Sequence, residues 1–404
     1  MAVNSAVMPE LHPVAGVRLA SVACGIKKSG VDDLVLMELA TGSTTAAVFT
    51  QNAFCAAPVT LAKDFLAQQA PRYWLINSGN ANAGTGQGGL ADAQQCCAWL
   101  ATEAGVVVEQ VLPFSTGVIG ERLPMSRFQL GIPQALTALH EDRWAEAAQG
   151  IMTTDTCAKG FSEQFEMAGQ TVTITGIAKG SGMIHPNMAT MLAYLATDVE
   201  VSQEDLQQAL QTAVKPSFNS ITVDGDTSTN DACLLVATGQ SGLVLDQESE
   251  HWPLFQAALN EACKSLALAI VRDAEGATKF IAVQIEGGLN EAECRQVAFT
   301  IAHSPLVKTA FFASDPNWGR ILAAVGRSGL PELDVEQISI YLDHVCIVRN
   351  GNPAEEYREA AGQAVMNQAE ISVRVELGRG EAQAIVWSSD LSYDYVRINA
   401  EYRS

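Results

Sequence analysis

Two hydroxyl-bearing stretches have the residue types that covalent chemistry would use. The first is GMIHPNMATMLAY, residues 182–194, where a loop of glycine, proline and asparagine runs into Thr190 at the head of an apolar run. Gly180, Gly182, Pro186 and Asn187 permit a sharply turned backbone, and Ala189 adds no bulk to the carbonyl that would be attacked. Addition of the Thr190 hydroxyl to that carbonyl would give an ester, which water could open. The new terminus would carry a hydroxyl and a free α-amine on one residue. An α-amine with a reference pKa of roughly 7.7–8.0 is a competent general base near neutrality. This is the threonine/N-terminal-amine form of an activated nucleophile. Composition alone also admits a plain reading of Thr190, as a β former leading a strand. Lys179, upstream in the same loop region, could place positive charge near a substrate carboxylate or near the amine.

The second stretch is FSTGVIGERLP, residues 114–124. Thr116 and Gly117 in a breaker-flanked turn can offer a hydroxyl beside an uncovered backbone N–H, the pair of donors that a developing oxyanion needs. A side-chain turn motif explains the same dipeptide more simply, and this stretch alone favours that reading. NSGNANAGTGQGGL, residues 77–90, contains a literal GxGxxG at Gly84, Gly86 and Gly89. About a dozen loop residues intervene between the preceding strand and the following helix, and Glu109, the candidate ribose partner, follows the helix-ending Gly105 too closely, so a structural loop is expected. DGDTSTND, residues 224–231, fails as a calcium loop: its glycine falls at the second position and the distal glutamate is missing. Nine scattered cysteines without a CxxC pair and six dispersed histidines support neither a disulfide framework nor a metal site, and none is expected.

The elements that would position these residues alternate along the chain. VLMELA (35–40), YWLIN (73–77), VTITGIA (172–178), KFIAVQIEG (279–287) and ISVRVEL (371–377) read as strands. LADAQQCCAWLATEAG (90–105), EDLQQALQTAV (204–214) and LFQAALNEACKSLALAIV (254–271) carry apolar residues at helical spacing, and Gly105 caps the first of them. The fold class is therefore α/β or α+β in layers, with helices covering sheets. A domain boundary is expected near residues 180–190, where the glycine-rich loop separates two halves of similar size. A length of 404 residues with 48% hydrophobic and 17% charged residues describes a soluble globular chain with a sizeable core. The formal net charge of −21 disfavours nucleic acid and anionic membrane surfaces as partners. No run of about 18 consecutive apolar residues occurs, and the N-terminal stretch has no basic leader or apolar signal core, so a cytoplasmic location is expected.

GIAKGSGMIHPNMATMLAYLATD resembles the self-cleavage segment of the ornithine acetyltransferase family, the bifunctional glutamate N-acetyltransferases of arginine biosynthesis. The likeness continues through TTAAVFTQN (44–52), INSGNANAGTG (76–86), FSTGVIGERLP (114–124), IMTTDT (151–156), SFNSITVDGDTSTND (217–231), DAEGATKF (273–280), FFASDPNWGRI (311–321) and VRINAEYRS (396–404). It covers nearly the whole chain in order. The resemblance implies a self-cleaving, two-chain αββα-type architecture shared with self-processing aminopeptidases. It implies cleavage at Ala189–Thr190 into an α chain of residues 1–189 and a β chain of residues 190–404. Thr190 would then be the acyl-accepting nucleophile, and Thr116 and Gly117 match the family's oxyanion pair. Thr153 in IMTTDT, Lys179 in AKGSG, Glu275 in DAEGATK and Asn399 match substrate-binding positions, as does the final residue. That residue is Ser404 where relatives commonly have threonine, which keeps the hydroxyl and loses a methyl. Whether Thr153 or its neighbour Thr154 faces the ligand is left open by the sequence.

The implied reaction is a ping-pong transfer of acetyl from N2-acetylornithine to Thr190 and from there to glutamate. Splitting a difficult amide transfer through an ester makes two easier steps. No cofactor is expected. Acetyl-CoA is the alternative acetyl donor, and an assembly of two α and two β chains is implied. The competing expectations are a self-cleaving N-terminal-nucleophile aminopeptidase or amidase, in which water resolves the acyl-enzyme, a nucleotide-cofactor binder using the GxGxxG loop, and an uncut structural protein.

Overall fold

The computed structural model describes residues 2–4, 7–27, 30–185 and 191–401. The first part of the chain forms β1 (Val17–Val22), β2 (Leu34–Leu39), β3 (Thr44–Phe49), α1 (Ala57–Leu66), β4 (Tyr73–Asn80), α2 (Gly86–Ala104) and β5 (Val111–Val118). Next come α3 (Met125–Thr137), α4 (Trp144–Gly150), β6 (Lys159–Met167), β7 (Gln170–Lys179) and β8 (Leu192–Thr197). They are followed by β9 (Glu200–Val201), α5 (Gln203–Val214), β10 (Ala232–Ala237), β11 (Val244–Leu245) and α6 (Trp252–Arg272). The last part forms β12 (Phe280–Gly288), α7 (Glu291–Ala302), α8 (Pro305–Phe312), α9 (Trp318–Gly326), β13 (Ser339–Leu342) and β14 (Val345–Arg349). It ends with β15 (Asn352–Pro353), α10 (Glu359–Met366), β16 (Glu370–Glu376), β17 (Ala382–Ser389) and α11 (Tyr393–Ala400).

Two sheets face each other, ordered β1-β2-β4-β5 and β3-β10-β8-β7-β6. Side chains alternate across them as the two-residue period of a strand requires. Leu192, Tyr194 and Ala196 of β8, with Ala232, Leu234 and Val236 of β10, share a core with Trp74, Ile76 and Phe114 of the other sheet. The Tyr194 ring lies 5.7 Å from Trp74 and 5.5 Å from Phe114, centroid to centroid. The intervening residues Ala193, Leu195, Cys233 and Leu235 pack on the opposite face with the apolar stripes of α5 and α6. Helices α1 and α2 lie along β5. The result is helix, sheet, sheet, helix in layers, a mixed α/β fold of the kind expected.

A six-stranded sheet, ordered β15-β14-β13-β16-β12-β17, builds a separate core with α7, α9 and α10. Helix α6 has the length and apolarity to cross a membrane, yet Phe255, Leu259, Cys263, Leu266 and Ile270 are buried on its inner stripe. Local chemistry sets the helix ends. Ser202 accepts the N–H of Asp205 at 3.1 Å to start α5, and Gly105 closes α2 in the left-handed conformation at φ +69°.

Two expectations change. The loop at residues 180–190 does not divide two packing units: β7 and β8, on either side of it, are antiparallel neighbours with Lys179 paired to Leu192. Strand β4 runs on to Asn80 and α2 begins at Gly86, so only residues 81–85 link them. The strand outlasts its apolar stretch because Ser78 and Asn80 satisfy their polar side chains on nearby carbonyls, Gly150 O at 2.5 Å and Arg122 O at 3.1 Å.

Candidate active site

Thr116 and Gly117 lie within strand β5 and not in a turn. Parallel pairing of β5 with β4 sets Gly117 opposite Gly79, beside a register shift at Gly79/Asn80. Gly117 has φ +135°, and a Cβ there would stand 2.2 Å from the Gly79 carbonyl carbon and 2.5 Å from Asn80 N. Only glycine allows the two backbones to approach so closely. The asparagines of INSGNAN fasten this irregular edge. Asn77 Nδ2 donates to Asn80 O at 2.8 Å, and Asn82 N donates to Asn80 Oδ1 at 2.7 Å. From the loop before β10, Asn230 Nδ2 donates to Ala81 O at 2.6 Å and Ser115 O at 2.9 Å.

Thr116, 8% exposed, accepts a hydrogen bond from Lys179 Nζ at 3.1 Å. Lys179 ends β7 and is 5% exposed. Burial lowers its amine below the ordinary lysine value against the pull of Asp155, and Lys159 adds to the lowering. In the loop after α4, Asp155 accepts the N–H of Thr153 at 3.0 Å and of Gly180 at 2.7 Å. The Thr154 hydroxyl bonds the Ser181 hydroxyl at 2.7 Å, whereas the Thr153 hydroxyl has no hydrogen-bond partner among the described residues.

Glu275 follows α6. Its N–H donates to Ser181 O at 2.8 Å, and its side chain folds over Gly182, where a Cβ would meet the carboxyl carbon at 2.5 Å. Asn399 of α11 donates to Glu275 Oε2 at 2.8 Å. Thr116, Gly117, Thr153, Lys179, Glu275 and Asn399 thus line one cavity of about 260 Å³, with Thr154, Met183, Ser228 and Asn230 on its walls. The structure brings six residues from distant parts of the chain to one place. Ala189, Thr190 and Ser404 lie outside the described residues.

Both flanks of the segment holding Thr190 are tied to the loop at residues 222–231. On the upstream side, Asp224 accepts the N–H of Met183 at 2.6 Å and of Ile184 at 3.0 Å. Met183 sits at φ +57°, a strained conformation for a side chain of its size. Ile184 O accepts from the Thr222 hydroxyl at 2.8 Å and from Val223 N at 2.9 Å. Because that hydroxyl proton is committed to Ile184, His303 Nε2, 2.9 Å from the Thr222 oxygen, must carry a proton and donate. The His303 ring meets His185 edge-on at 4.5 Å and stacks on Phe299 at 5.5 Å. On the downstream side, Asp231 accepts the N–H of Met191 at 3.0 Å.

Asp155, Asp224, Asp231 and Asn230 are positioning groups that motif reading passed over. The signal was present in IMTTDT and DGDTSTND, but acidic residues there invite a search for cations and not for backbone N–H partners. Of the GxGxxG glycines, Gly89 is closed off by the protein's own side chains, whereas a Cβ at Gly84 would meet only Ile119 at 3.8 Å and one at Gly86 nothing within 4 Å. A Cβ at Gly89 would strike the Thr85 hydroxyl at 1.8 Å, and one at Gly88 would strike Arg122, whose guanidinium pairs with Asp92 at 2.5 and 2.7 Å. Glu109 sits in a short turn before β5.

The model of the ArgJ family matches residues 18–404. The arginine biosynthesis bifunctional protein ArgJ of Methylococcus capsulatus is 58% identical over 395 residues, spanning 98% of this chain and 97% of its own. Its counterpart in Pseudomonas fluorescens is 55% identical over 406 residues and spans 100% of both. The crystal structure of the arginine biosynthesis bifunctional protein argJ from Bacillus halodurans superposes with a TM-score of 0.50 at 40% identity, over 52% of this chain and 98% of that one.

Proposed function

The chain belongs to the ArgJ family, and on that premise we propose that it is an acyltransferase of arginine biosynthesis that moves acetyl from N2-acetylornithine to glutamate. The observation that carries this reading is the cavity, where Lys179 lies 3.1 Å from the Thr116 hydroxyl and Glu275 is oriented by Asn399. One buried cation and one carboxylate in a single small cavity complement an amino acid that bears both charges.

In this reading the chain cuts itself at Ala189–Thr190 into an α chain of residues 1–189 and a β chain of residues 190–404. The Thr190 hydroxyl attacks the acetyl carbonyl of N2-acetylornithine while its α-amine takes the hydroxyl proton. Thr116 and the Gly117 N–H stabilise the oxyanion. The amide C–N bond breaks, the proton passes to the leaving nitrogen, and ornithine departs. The neutral amine of glutamate then attacks the threonine ester, its proton returns through the α-amine, and N-acetylglutamate leaves. Thr153, Lys179, Glu275, Asn399 and Ser404 bind the two amino acids in turn, so no cofactor takes part. Acetyl-CoA serves as a second acetyl donor, and two α and two β chains assemble in the cytoplasm. The match of almost the whole Bacillus halodurans chain to about half of this one agrees with a chain divided near its middle.

Denaturing mass spectrometry before and after brief incubation with N2-acetylornithine tests the reading. Expected are two fragments meeting at Ala189–Thr190 and one acetyl mass added to the 190–404 piece, both lost in Thr190→Ala. Glutamate-independent release of acetate at the full turnover rate would mean that water resolves the ester and that the enzyme is a hydrolase. A single intact chain with undiminished turnover would remove the threonine nucleophile altogether.

A further inference from the structure

Behind the cavity wall lies a cluster of buried charges that the proposed reaction does not use. Lys159 Nζ bonds Asp155 Oδ1 at 2.6 Å and Asp273 Oδ2 at 2.7 Å, with all three side chains almost wholly inaccessible. Asp273 is held in turn by the N–H of Thr156 at 2.9 Å and by the Thr156 hydroxyl. One ammonium between two carboxylates leaves a unit of negative charge unbalanced. The nearby Lys179 supplies the balancing cation, although its own hydrogen bond goes to Thr116. Burial of charge on this scale is tolerable only when the cluster is paired and hydrogen-bonded.

Asp155 is the member of this cluster that hydrogen-bonds a residue of the cavity wall, Thr153. Its Oδ2 takes the N–H of Thr153, and its Oδ1 takes the N–H of Gly180 together with the Lys159 amine. Thr153 and Lys179 come from different elements, a loop and a strand end, and this carboxylate bridges the N–H of Thr153 and that of Gly180, the residue after Lys179. We propose that Asp155 is a positioning residue that holds Thr153 and Lys179 in register within the cavity and supplies the counter-charge for the Lys179 ammonium. The proposal rests on the transferase reading above and adds to it the group on which the substrate anchor depends.

Lys179 is faced by Asp155 from the loop before β6, Lys159 from β6, Asp231 ahead of β10 and Glu275 after α6. Lys27, in the loop after β1, is also within electrostatic reach of Lys179 and of Asp155. Burial pushes the Lys179 amine down and Asp155 opposes that push more than any other group. Neutralising Asp155 therefore lets Lys179 lose its proton at lower pH. Lys159 retains Asp273 in such a variant, so the cluster is not left with an unpaired ammonium.

The test is the pH profile of kcat/KM for N2-acetylornithine, with glutamate as acceptor, in the full-length protein and three variants. In the wild type an alkaline limb is expected and Lys179→Arg should abolish it, because the guanidinium stays charged. Asp155→Asn should move that limb to lower pH by about one unit and lower kcat/KM on its plateau by roughly tenfold or more. Asp155→Glu keeps the charge and displaces the oxygens by one methylene, so it should leave the limb in place and raise KM. It also serves should Asp155→Asn fail to fold. A wild-type limb that survives Lys179→Arg, an unmoved limb in Asp155→Asn, or wild-type kcat/KM in Asp155→Glu would each overturn the proposal. Absence of any transfer by the wild-type protein would instead strike the transferase reading on which it rests.

Discussion

Asp224 and Asp231 stand at the two ends of one acidic loop and grip opposite flanks of a single segment, Asp224 through the N–H groups of Met183 and Ile184 and Asp231 through that of Met191. Two carboxylates that motif inspection tests for calcium are here acceptors for backbone. Asp224 also receives the Tyr395 hydroxyl at 3.2 Å, so the same carboxylate reaches the C-terminal helix that carries Asn399.

Removal of the upstream grip should therefore slow the proposed self-cleavage. A backbone hydrogen bond to a charged group contributes roughly 1.5–3 kcal/mol, and Asp224→Ala loses the two from Met183 and Ile184 together with a third from Asp226. The half-time for conversion of intact chain to two pieces, followed on denaturing gels, is expected to lengthen by about tenfold or more. An unchanged half-time in a variant of lowered thermal stability would show that Asp224 matters to folding alone.

Thr116→Ala should leave the fold intact and reduce acetyl transfer. Loss of one oxyanion donor typically costs about 3–4 kcal/mol, or a few hundredfold to a thousandfold in kcat. Lys179 would lose its 3.1 Å acceptor in the same variant. Steady-state kinetics check this, and a change confined to KM would assign Thr116 to binding and not to the transition state.

Gly117→Ala combines a positive φ with a backbone clash, whereas Gly120→Ala has a positive φ of +88° and open space around it. Strained backbone costs about 1–3 kcal/mol and overpacking about as much again. Urea unfolding of Thr190→Ala protein, which stays as one chain under the proposed mechanism, should show Gly117→Ala less stable than Gly120→Ala by roughly 1–3 kcal/mol. Equal stabilities would mean that the β4–β5 edge can relax around a methyl group.

Acid should destabilise the protein through the His185–His303 pair. Burial, then the neighbouring His185, hold the His303 imidazole down at about 4 against an ordinary 6.5, and burial lowers His185 as well. Between these two values the unfolded chain binds more protons than the folded one, so stability present at neutral pH is lost as pH falls from about 6.5 towards 4. The contribution of His303 is at most about 3 kcal/mol. The Tm of His303→Gln should vary less steeply across that window than the wild type, and an equal slope would place the acid sensitivity elsewhere.

Much of this architecture is legible in the residues. The alternation in ISVRVEL and the three- and four-residue spacing in LFQAALNEACKSLALAIV report strand and helix because burial on one face writes those periods directly. Gly105 marks the end of α2 because few other residues accept its conformation. The site was legible only through resemblance at Thr153, Glu275 and Asn399, since no local spacing joins positions that meet through tertiary folding. Asn80 and Asn82 looked like loop formers, and Asn80 belongs to a strand, where its side chain finds carbonyl partners. The adjacency of β7 and β8 was hidden for a related reason: glycine and proline signal a change of chain direction, and a turn within a sheet uses the same residues as a linker between domains.

The five-stranded sheet interleaves the two sides of residue 190: β3, β7 and β6 come from before it, and β10 and β8, from after it, lie between β3 and β7. The piece preceding a cut there would hold two strands separated by a slot about 14 Å wide, and the other piece fills that slot. Neither can depart without opening the β3–β10 and β7–β8 ladders together. Each mature molecule would then keep the two pieces of its own parent chain for life. Their ratio is fixed at one to one by ancestry, with no need for matched synthesis, and mixing isotopically heavy and light enzyme should yield no hybrids of the two pieces.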